Sequence, residues 1–297
     1  MAYKPHKLVR EKTSKKQFQR DFWRIFLIEG GLFFATSILA VLNGFKLDRL
    51  VKIKKIYLPT ISLQDFVFSF LFITFFILLF VSFKKATKFK ELIFKGLFIL
   101  TVFWGGMTVL NTWVSVFGAI LIMGVLIILW LEKPSVWVHD ILMTLGLAGA
   151  ASFFGLGFDP AIIVVLLVLF SFYDFVAVYK TKHMVKIAKE MIEKKVVLGF
   201  IIPKQLKYFK DGLAKVQPAG NFLILGGGDV VFPNLLAVSV VPSGIIKALI
   251  VVLFSLAGSF FSYWIFVNQK DSEPIPALPP VALFSIIGYF VSLLLPL

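Results

Sequence analysis

Cysteine is absent from the 297-residue sequence, and histidine occurs only three times, at His6, His139 and His183. The lack of thiols excludes disulfides, cysteine nucleophiles and metal sites that need thiolate ligands. The histidines do not form the H-E-x-x-H pattern of a zinc metalloprotease. The sequence therefore predicts neither a metal site nor a cofactor.

Charged residues are also scarce, at 16% of the chain against 59% hydrophobic residues, whereas soluble domains have about 25% and 45–50%. Too few polar side chains remain to cover a soluble globule. The composition therefore predicts a polytopic integral membrane protein, with residues 1–297 forming one membrane domain. The net charge of +15 is typical of basic cytoplasmic segments that contact anionic lipids, and we expect no nucleic-acid partner.

Nine apolar stretches predict an all-α fold with nine transmembrane helices. Most of them reach the roughly 20 residues that a helix needs to cross a hydrocarbon core about 30 Å thick, and a helix satisfies its own backbone hydrogen bonds in lipid. Spans one to six fall within residues 22–179 and spans seven to nine within residues 219–297. The stretches are Phe22–Leu42, Ile61–Phe83, Leu92–Leu110, Trp113–Leu131, Ile141–Phe158, Pro160–Tyr179, Ala219–Val240, Ile245–Val267 and Pro279–Leu295.

The distribution of basic residues predicts a cytoplasmic N-terminus. With a cytoplasmic basic tail at residues 1–21, most of the 31 lysines and arginines fall on the cytoplasmic side, as positive-inside topology requires. An odd number of spans then places the C-terminus outside. The basic segment 46–55 is the exception, since this topology puts it on the outer side.

The segment 180–218, between the sixth and seventh spans, predicts a cytoplasmic amphipathic loop. Met184, Ile187 and Met191 recur at helical spacing with lysines between them, which predicts an amphipathic helix on the membrane surface. The run Val196–Pro203 is too short to cross a membrane. Its β-branched residues and its terminal proline predict a strand or an interfacial segment.

Two acidic residues lie deep inside predicted spans. Asp174 is about six residues before the cytoplasmic end of the sixth span, and Asp229 is about ten residues after the cytoplasmic start of the seventh. At 1.5 Å per residue, these positions are roughly 8 and 15 Å from the same membrane face. Consecutive spans can pack as antiparallel neighbours, so the two carboxyl groups can meet in the cytoplasmic half of the membrane.

The remaining intramembrane acids have simpler explanations. Asp159 precedes Pro160 and predicts a helix N-cap followed by proline at the first helical position. Asp140 lies close to the end of a span, where solvation or capping is sufficient. Glu29 lies inside the first span and is either a functional residue or a polar partner within the bundle.

A pair of carboxyl groups at membrane depth is compatible with two functions. In a low-dielectric site the two cannot both ionise at low cost, so they share a proton. An aspartic protease uses such a pair: the ionised carboxylate takes a proton from water while the protonated one hydrogen-bonds the scissile carbonyl. A secondary transporter or an ion or proton channel uses intramembrane carboxylates as a relay. The carboxyl groups alone leave both functions open.

The residues around the acids favour the protease. Three glycines, Gly226 to Gly228, precede Asp229 and allow the close approach of another backbone. A protease must hold its substrate extended, and an extended backbone in the membrane needs a strand to pair with, which Val196–Pro203 or residues 222–225 could supply. Four prolines between Pro274 and Pro280 should prevent a regular helix there, on the same side of the membrane.

Three short motifs occur together on the sixth, seventh and ninth predicted spans, and this combination resembles the presenilin and signal peptide peptidase family. The motifs are Tyr173-Asp174, Gly226-Gly227-Gly228-Asp229 and Pro276-Ala277-Leu278. G-x-G-D alone is a weak match, which prepilin peptidases share. All three motifs in this order are a strong match, and they lie within residues 165–297.

The resemblance implies an intramembrane aspartyl protease with Asp174 and Asp229 as the catalytic pair. It further implies that Tyr173, the three glycines and Pro276-Ala277-Leu278 shape the substrate site. The expected substrates are transmembrane helices or signal-peptide-like segments of other proteins. The loop 180–218 is short and the sequence carries no endoplasmic-reticulum retrieval signal, so it is similar to compact archaeal-type homologues that work in a prokaryotic cell membrane without an obligatory partner subunit.

Overall fold

The computed structural model describes residues 22–55, 87–180, 191–194, 196–217, 220–269 and 274–296, with scattered residues between 62 and 75. This part of the chain is mostly helical, as predicted. The tail 1–21 and most of the predicted span Ile61–Phe83 lie outside the described residues. The helices are α1 (Phe22–Lys54), α2 (Thr87–Leu110), α3 (Val116–Glu132), α4 (Val136–Gly157), α5 (Pro160–Phe175), α6 (Gly227–Ser239), α7 (Ile245–Asn268) and α8 (Leu278–Leu294).

Five of these helices are long and apolar enough to cross a membrane: α1, α2, α4, α5 with its π-helical extension Val176–Lys180, and α7. Helices α3, α6 and α8 are apolar but shorter. Each of the eight overlaps one of the predicted spans. Asp159 accepts a hydrogen bond from the Ala161 N–H at 2.8 Å with Pro160 at the first helical position, so the predicted cap of α5 is confirmed.

Helix α1 is longer than the predicted first span and includes most of the basic segment 46–55. Its 33 residues extend over roughly 50 Å. Lys52 Nζ lies 2.7 Å from the Asp48 carboxylate one turn earlier, and Lys46 Nζ lies 4.2 Å from the centre of the Trp113 ring. These contacts suit a helix that continues into the interface, where charged side chains are solvated. The helix therefore continues past Leu42, where the predicted apolar span ends.

Two short strands lie between α5 and α6 in the chain. β1 (Gly199–Pro203) pairs antiparallel with β2 (Phe222–Gly226), with Gly199 opposite Gly226 and Pro203 opposite Phe222. The strand predicted within Val196–Pro203 is confirmed. The helix predicted for the whole of Ala219–Val240 is wrong in its first part, because residues 222–226 are a strand and α6 has only 13 residues. The alternative that residues 222–225 form a strand is confirmed. The described residues thus include a two-stranded sheet within a mostly helical fold, so the predicted all-α class is too strict.

The rest of the segment 180–218 is only partly described. Residues 191–193 are helical, and Met191 and Ile192 pack against the core. The other positions of the predicted amphipathic helix lie outside the described residues. After β1, single 3₁₀ turns at Leu206–Lys210 and Leu213–Lys215 lead back toward β2.

Small residues bring several helices into backbone contact. A Cβ atom at Gly105 would overlap the backbone of Gly146, and a Cβ at Gly149 would overlap the backbone of Gly105. Helices α2 and α4 therefore meet here without intervening side chains. A Cβ at Gly258 would lie 2.8 Å from Val281 Cα, which shows the same close approach between α7 and α8. Small interfacial residues of this kind are typical of helix packing in membranes, where dispersion contacts replace the hydrophobic effect.

A buried polar network joins α1 to α4 and to the turn that follows α2. Asn43 is fully buried, its Nδ2 donates to Ser152 Oγ at 2.7 Å, and its Oδ1 accepts from Thr112 Oγ1. Ser152 in turn donates to the Gly149 carbonyl at 3.0 Å. Because each of these groups has a partner, the polar atoms can remain inside the apolar bundle.

Candidate active site

The two intramembrane aspartates lie on adjacent helices at nearly the same level. The rings of Phe170 on α5 and Phe232 on α6 are 4.4 Å apart between centroids. Asp174 follows Phe170 by four residues and Asp229 precedes Phe232 by three, so in antiparallel helices both lie about 5–6 Å from the ring pair in the same direction. The carboxyl groups are close enough to interact electrostatically. The predicted meeting of Asp174 and Asp229 is thus what the structure shows.

Asp174 points into the bundle while its neighbours face outward. It is 9% exposed, whereas Phe172, Tyr173 and Phe175 are 72%, 42% and 49% exposed. The carboxylate Oδ2 of Asp174 accepts a hydrogen bond from the Leu278 backbone N–H at 3.3 Å. The structure therefore brings Asp174 together with the Pro276-Ala277-Leu278 segment, and it places Tyr173 on the outer surface of α5.

The start of α8 presents one backbone donor to Asp174. Pro276 is buried, Ala277 is the N-cap and α8 begins at Leu278. Pro279 and Pro280 follow in the first turn and have no N–H, so Leu278 supplies the single donor of the first three helical residues. The expectation of no regular helix up to Pro280 is wrong for the last three residues, because a first turn needs no intrahelical N–H bond and tolerates proline.

Asp229 lies in the first turn of α6, three residues after the N-cap Gly226. Its carboxylate accepts a hydrogen bond from the Gly226 backbone N–H, which is the return bond of a capping box. The positive end of the helix dipole also lies in this turn. The prediction that Asp229 lies ten residues into a helix is wrong, because a strand occupies the preceding residues.

The three glycines before Asp229 have different surroundings. A Cβ at Gly226 would lie 2.8 Å from Asp229 Oδ2, and a Cβ at Gly227 would lie 3.1 Å from the Leu198 carbonyl. The Gly227 N–H donates to that carbonyl at 3.0 Å. Gly228 is exposed, and among the described residues a Cβ there would meet only the Phe232 ring, at 3.6 Å, an ordinary contact. Hence the backbone packing restricts the residue at Gly227, and the observed position of the Asp229 carboxylate needs a small residue at Gly226. Among the described residues, the space beside Gly228 is open.

Two side chains of α4, His139 and Asp140, hydrogen-bond to the backbone of β1 next to the site. The Asp140 carboxylate accepts a hydrogen bond from the Ile201 N–H at 2.9 Å, and His139 Nε2 lies 3.0 Å from the Gly199 carbonyl. Both residues are on α4 and almost completely buried. The interpretation of Asp140 as a solvated or capping residue is wrong.

Hydrogen-bonding groups of β2 that face away from β1 have no strand partner among the residues that the structure describes. In an antiparallel ladder, hydrogen-bonded residue pairs alternate with pairs that are not hydrogen-bonded. The Gly227–Leu198 and Lys204–Asn221 backbone bonds therefore determine which pairs of β1 and β2 bond to each other. By this alternation, the backbone groups of Phe222 and Ile224 point outward. The described chain has no third strand on this edge. The outer edge of β1, by contrast, is occupied by His139 and Asp140.

No group of three or more His, Asp or Glu side chains is placed to hold a metal in the part of the chain that the structure describes. What the arrangement offers is a buried carboxyl group, Asp174, and a half-buried one, Asp229, each with a backbone N–H donor, beside an open strand edge. Such a pair can activate water by general base catalysis and protonate a carbonyl or leaving amine.

Comparisons with known proteins find one matching family model and similar solved structures. The family model described as "Signal-peptide peptidase, presenilin aspartyl protease" matches residues 31–296. Two solved structures of a presenilin family intramembrane aspartate protease, in C222 and P2 space groups, resemble the fold with TM-scores of 0.61 and 0.52. They are 21% and 22% identical, and the alignments cover 90% and 89% of this chain and 98% and 95% of theirs. None of the curated proteins matches.

The family model covers most of the chain, and nothing in the comparisons supports the transporter or channel. Integral membrane character agrees with the apolar helices described above. The chain belongs to the signal-peptide peptidase and presenilin family of aspartyl proteases and is an intramembrane aspartic endopeptidase.

Proposed function

We propose that Asp174 and Asp229 are the catalytic pair of this protease. The observation that carries the proposal is their placement at one level on adjacent helices, where the two carboxyl groups interact electrostatically. Each also accepts a backbone N–H, from Leu278 and Gly226 respectively. These donors orient the carboxyl groups and stabilise the charge that the pair carries.

In the proposed reaction the pair shares one proton, because two negative charges at this separation in a low-dielectric site cost too much. The ionised carboxylate accepts a proton from a water molecule as that water attacks the scissile carbonyl. The protonated carboxyl hydrogen-bonds the carbonyl oxygen and stabilises the charge that develops on it. The pair then returns a proton to the leaving amine, so hydrolysis needs no covalent intermediate.

We further propose that the substrate adds a strand to the outer edge of β2. A peptide bond inside a helix is shielded by its own hydrogen bonds, so the substrate must unwind near the scissile bond. Its freed N–H and C=O groups then need partners, and strand addition supplies them. β2 leads directly through Gly226 into the turn that carries Asp229, so a strand paired with Ile224 passes beside the catalytic pair.

The remaining predicted site residues have roles consistent with this pose. Gly228 is exposed beside Asp229, where a side chain would occupy the space needed by the substrate backbone. Gly226 and Gly227 allow β2 to turn into α6, and Pro276-Ala277-Leu278 positions the donor to Asp174. Tyr173, on the outer surface of α5, is a predicted contact for an approaching substrate helix.

The proposed topology has nine spans, with the N-terminus cytoplasmic and the C-terminus outside. The basic residue distribution supports it, and the eight described helices match eight of the predicted spans. The substrates are transmembrane segments or signal-peptide-like segments of other proteins, as the family implies. We propose a prokaryotic cell membrane as the location and activity without an obligatory partner subunit.

Cleavage of a single-span substrate by purified protein tests the catalytic pair. Wild type is compared with Asp174→Asn and Asp229→Asn, and products are identified by mass spectrometry. The matched control is Asp159→Asn at the opposite end of α5, because Asn caps a helix about as well as Asp. We expect intramembrane fragments from wild type and the control, and at least a thousandfold slower cleavage by the two site variants. Full cleavage by either site variant would refute the assignment.

A further inference from the structure

Two side chains of α4 take the place of a neighbouring strand on the edge of β1. His139 Nε2 lies 3.0 Å from the Gly199 carbonyl, and the Asp140 carboxylate accepts from the Ile201 N–H at 2.9 Å. A carbonyl oxygen can only accept, so Nε2 carries the proton of the first bond. In a parallel sheet, one residue of the next strand would bond the same two backbone groups. His139 and Asp140 together therefore hold β1 as an additional strand would.

The imidazole ring of His139 is held in its orientation by aromatic stacking. The Phe98 ring on α2 lies parallel to it, with 5.0 Å between the centroids and 9° between the planes. Trp130 on α3 stacks on Phe98 with 4.5 Å between the centroids. His139 is fully buried, and Asp140 is 2% exposed. Three helices thus contribute to the direction in which His139 meets β1.

The same face of α4 continues from β1 to the turn that carries Asp229. Met143 and Leu147 follow His139 by four and eight residues, so the three side chains share one helix face. A Cβ at Gly227 would lie 3.4 Å from Met143 Cε and 3.5 Å from Leu147 Cδ2. Helix α4 therefore contacts β1 and the first turn of α6 with neighbouring side chains.

Backbone hydrogen bonds connect the part of β1 that His139 holds to the catalytic turn. His139 bonds the Gly199 carbonyl, and the preceding carbonyl, of Leu198, accepts from the Gly227 N–H at 3.0 Å. Gly227 is the first residue of α6, and Asp229 is the third. β1 also pairs along its length with β2, the strand to which we propose that the substrate adds. Helix α4 thus sets the position of the sheet next to the catalytic turn.

Helix α6 is held by further contacts that do not involve the sheet. A Cβ at Gly155 on α4 would lie 2.7 Å from Val238 Cβ, and a Cβ at Gly44 on α1 would lie 2.8 Å from Val238 Cγ1. The rings of Phe170 and Phe232 join α6 to α5. Loss of the bonds from α4 to β1 would therefore free the sheet more than it would free the aspartates.

We propose that His139 and Asp140 determine at which peptide bond the substrate is cut. They are positioning residues, because their bonds hold β1, and with it β2, in one position relative to the catalytic pair. The proposal rests on the proposed catalytic role of Asp174 and Asp229 and on the proposed addition of the substrate to β2. A strand advances about 3.3 Å per residue, so a displacement of the sheet by that distance brings the neighbouring peptide bond to the aspartates.

The products of a single-span substrate, identified by mass spectrometry at low conversion, test the proposal. The measured quantity is the ratio of the most abundant product to the products cut one or two bonds away. We expect this ratio to fall about fivefold in Asp140→Ala and in His139→Phe, the factor that corresponds to one typical net hydrogen bond. His139→Phe keeps an aromatic ring beside Phe98 and loses the donor to β1.

Two conservative variants and one distant variant are the controls. Asp140→Asn keeps an acceptor oxygen, and His139→Gln keeps an N–H donor, so both should retain the wild-type product ratio. Asn43→Ala breaks the bonds to Ser152 and Thr112, which lie outside the sheet, and should lower the melting temperature. If His139 and Asp140 only stabilised the fold, Asp140→Ala and His139→Phe would resemble Asn43→Ala, with a lower melting temperature and the wild-type ratio.

Wild-type product ratios in Asp140→Ala and His139→Phe overturn the proposal, and if Asp140→Ala does not fold, the ratio of His139→Phe decides. A fall as large in Asp140→Asn as in Asp140→Ala also overturns it, because Asn keeps the acceptor. Failure of the proposed function would be seen separately. Asp174→Asn or Asp229→Asn would still cleave, or Ile224→Pro, which removes the outward N–H of β2, would keep wild-type turnover.

Discussion

Replacing Ile224 with proline separates substrate pairing from the integrity of the sheet. The residue pairs Phe200–Leu225 and Ile202–Leu223 bond across the ladder, and the N–H of Ile224 points away from β1. Proline at this position removes that outward N–H and leaves every β1–β2 hydrogen bond in place. Edge strands tolerate proline on their solvent side or open side, so we expect Ile224→Pro to fold.

The expected loss follows from one missing hydrogen bond at the substrate. A typical hydrogen bond contributes about 0.5–1.5 kcal/mol net, and a buried acceptor left without a partner costs about 1–3 kcal/mol. The substrate carbonyl opposite Ile224 would be left without its donor at membrane depth. We therefore expect the activation free energy for kcat/KM to rise by about 1–3 kcal/mol, which lowers kcat/KM roughly 5- to 150-fold.

The assay is cleavage of a single-span substrate in detergent or liposomes, with melting temperature measured on the same samples. Ile224→Val keeps the N–H and a β-branched side chain, so it should cleave at close to the wild-type rate. Leu223→Pro removes an N–H that bonds β1 and should lower the melting temperature as well as the activity. If Ile224→Pro retained both wild-type turnover and wild-type stability, the substrate would not pair with β2.

Two other variants probe the site and its support. Gly228→Leu should fold normally, because only the Phe232 ring lies near a Cβ there, and should lose nearly all turnover through a block to the substrate backbone; normal cleavage by this variant would contradict the proposed pose. Asp140→Ala leaves the buried Ile201 N–H of β1 without an acceptor and should cost about 1–3 kcal/mol of unfolding free energy, measured by denaturation. Asp140→Asn keeps an acceptor oxygen and should lose less, so equal losses in the two variants would argue against the hydrogen bond.

The meeting of Asp174 and Asp229 could be predicted because helical rise and antiparallel packing are regular. The structural path to Asp229 could not. Hydropathy does not distinguish a buried strand from part of a helix, so it assigns residues 222–226 to the seventh span. The alternative of a strand at residues 222–225 comes only from the substrate's need for an extended partner. The predicted depth of Asp229 in the seventh span was wrong, yet the predicted proximity of the two aspartates held. The Phe170–Phe232 contact shows why: the helical residues next to the aspartates set the register between α5 and α6.

The role of Asp140 could not be predicted because its partner is distant in the chain. Ile201 lies 61 residues away, and one sequence gives no sign that an acid near the start of a span will hold a strand edge. The length of α1 was missed for a related reason. Charged residues end a hydropathy peak at Leu42, whereas the helix itself continues because its backbone bonds remain satisfied in the interface.

The glycine contact between α2 and α4 has a mechanical consequence. Because Gly105 and Gly149 leave no gap between the two backbones, these helices cannot slide without overlap, and lipid tails cannot enter between them. His139 and Asp140 of helix α4 also hydrogen-bond to β1, so α2, α4 and the sheet form one rigid unit, here called the wall of the site. Any movement that admits a substrate helix to the active site must therefore come from elements outside this wall, such as α5, which carries Asp174 and packs against α6 and α8.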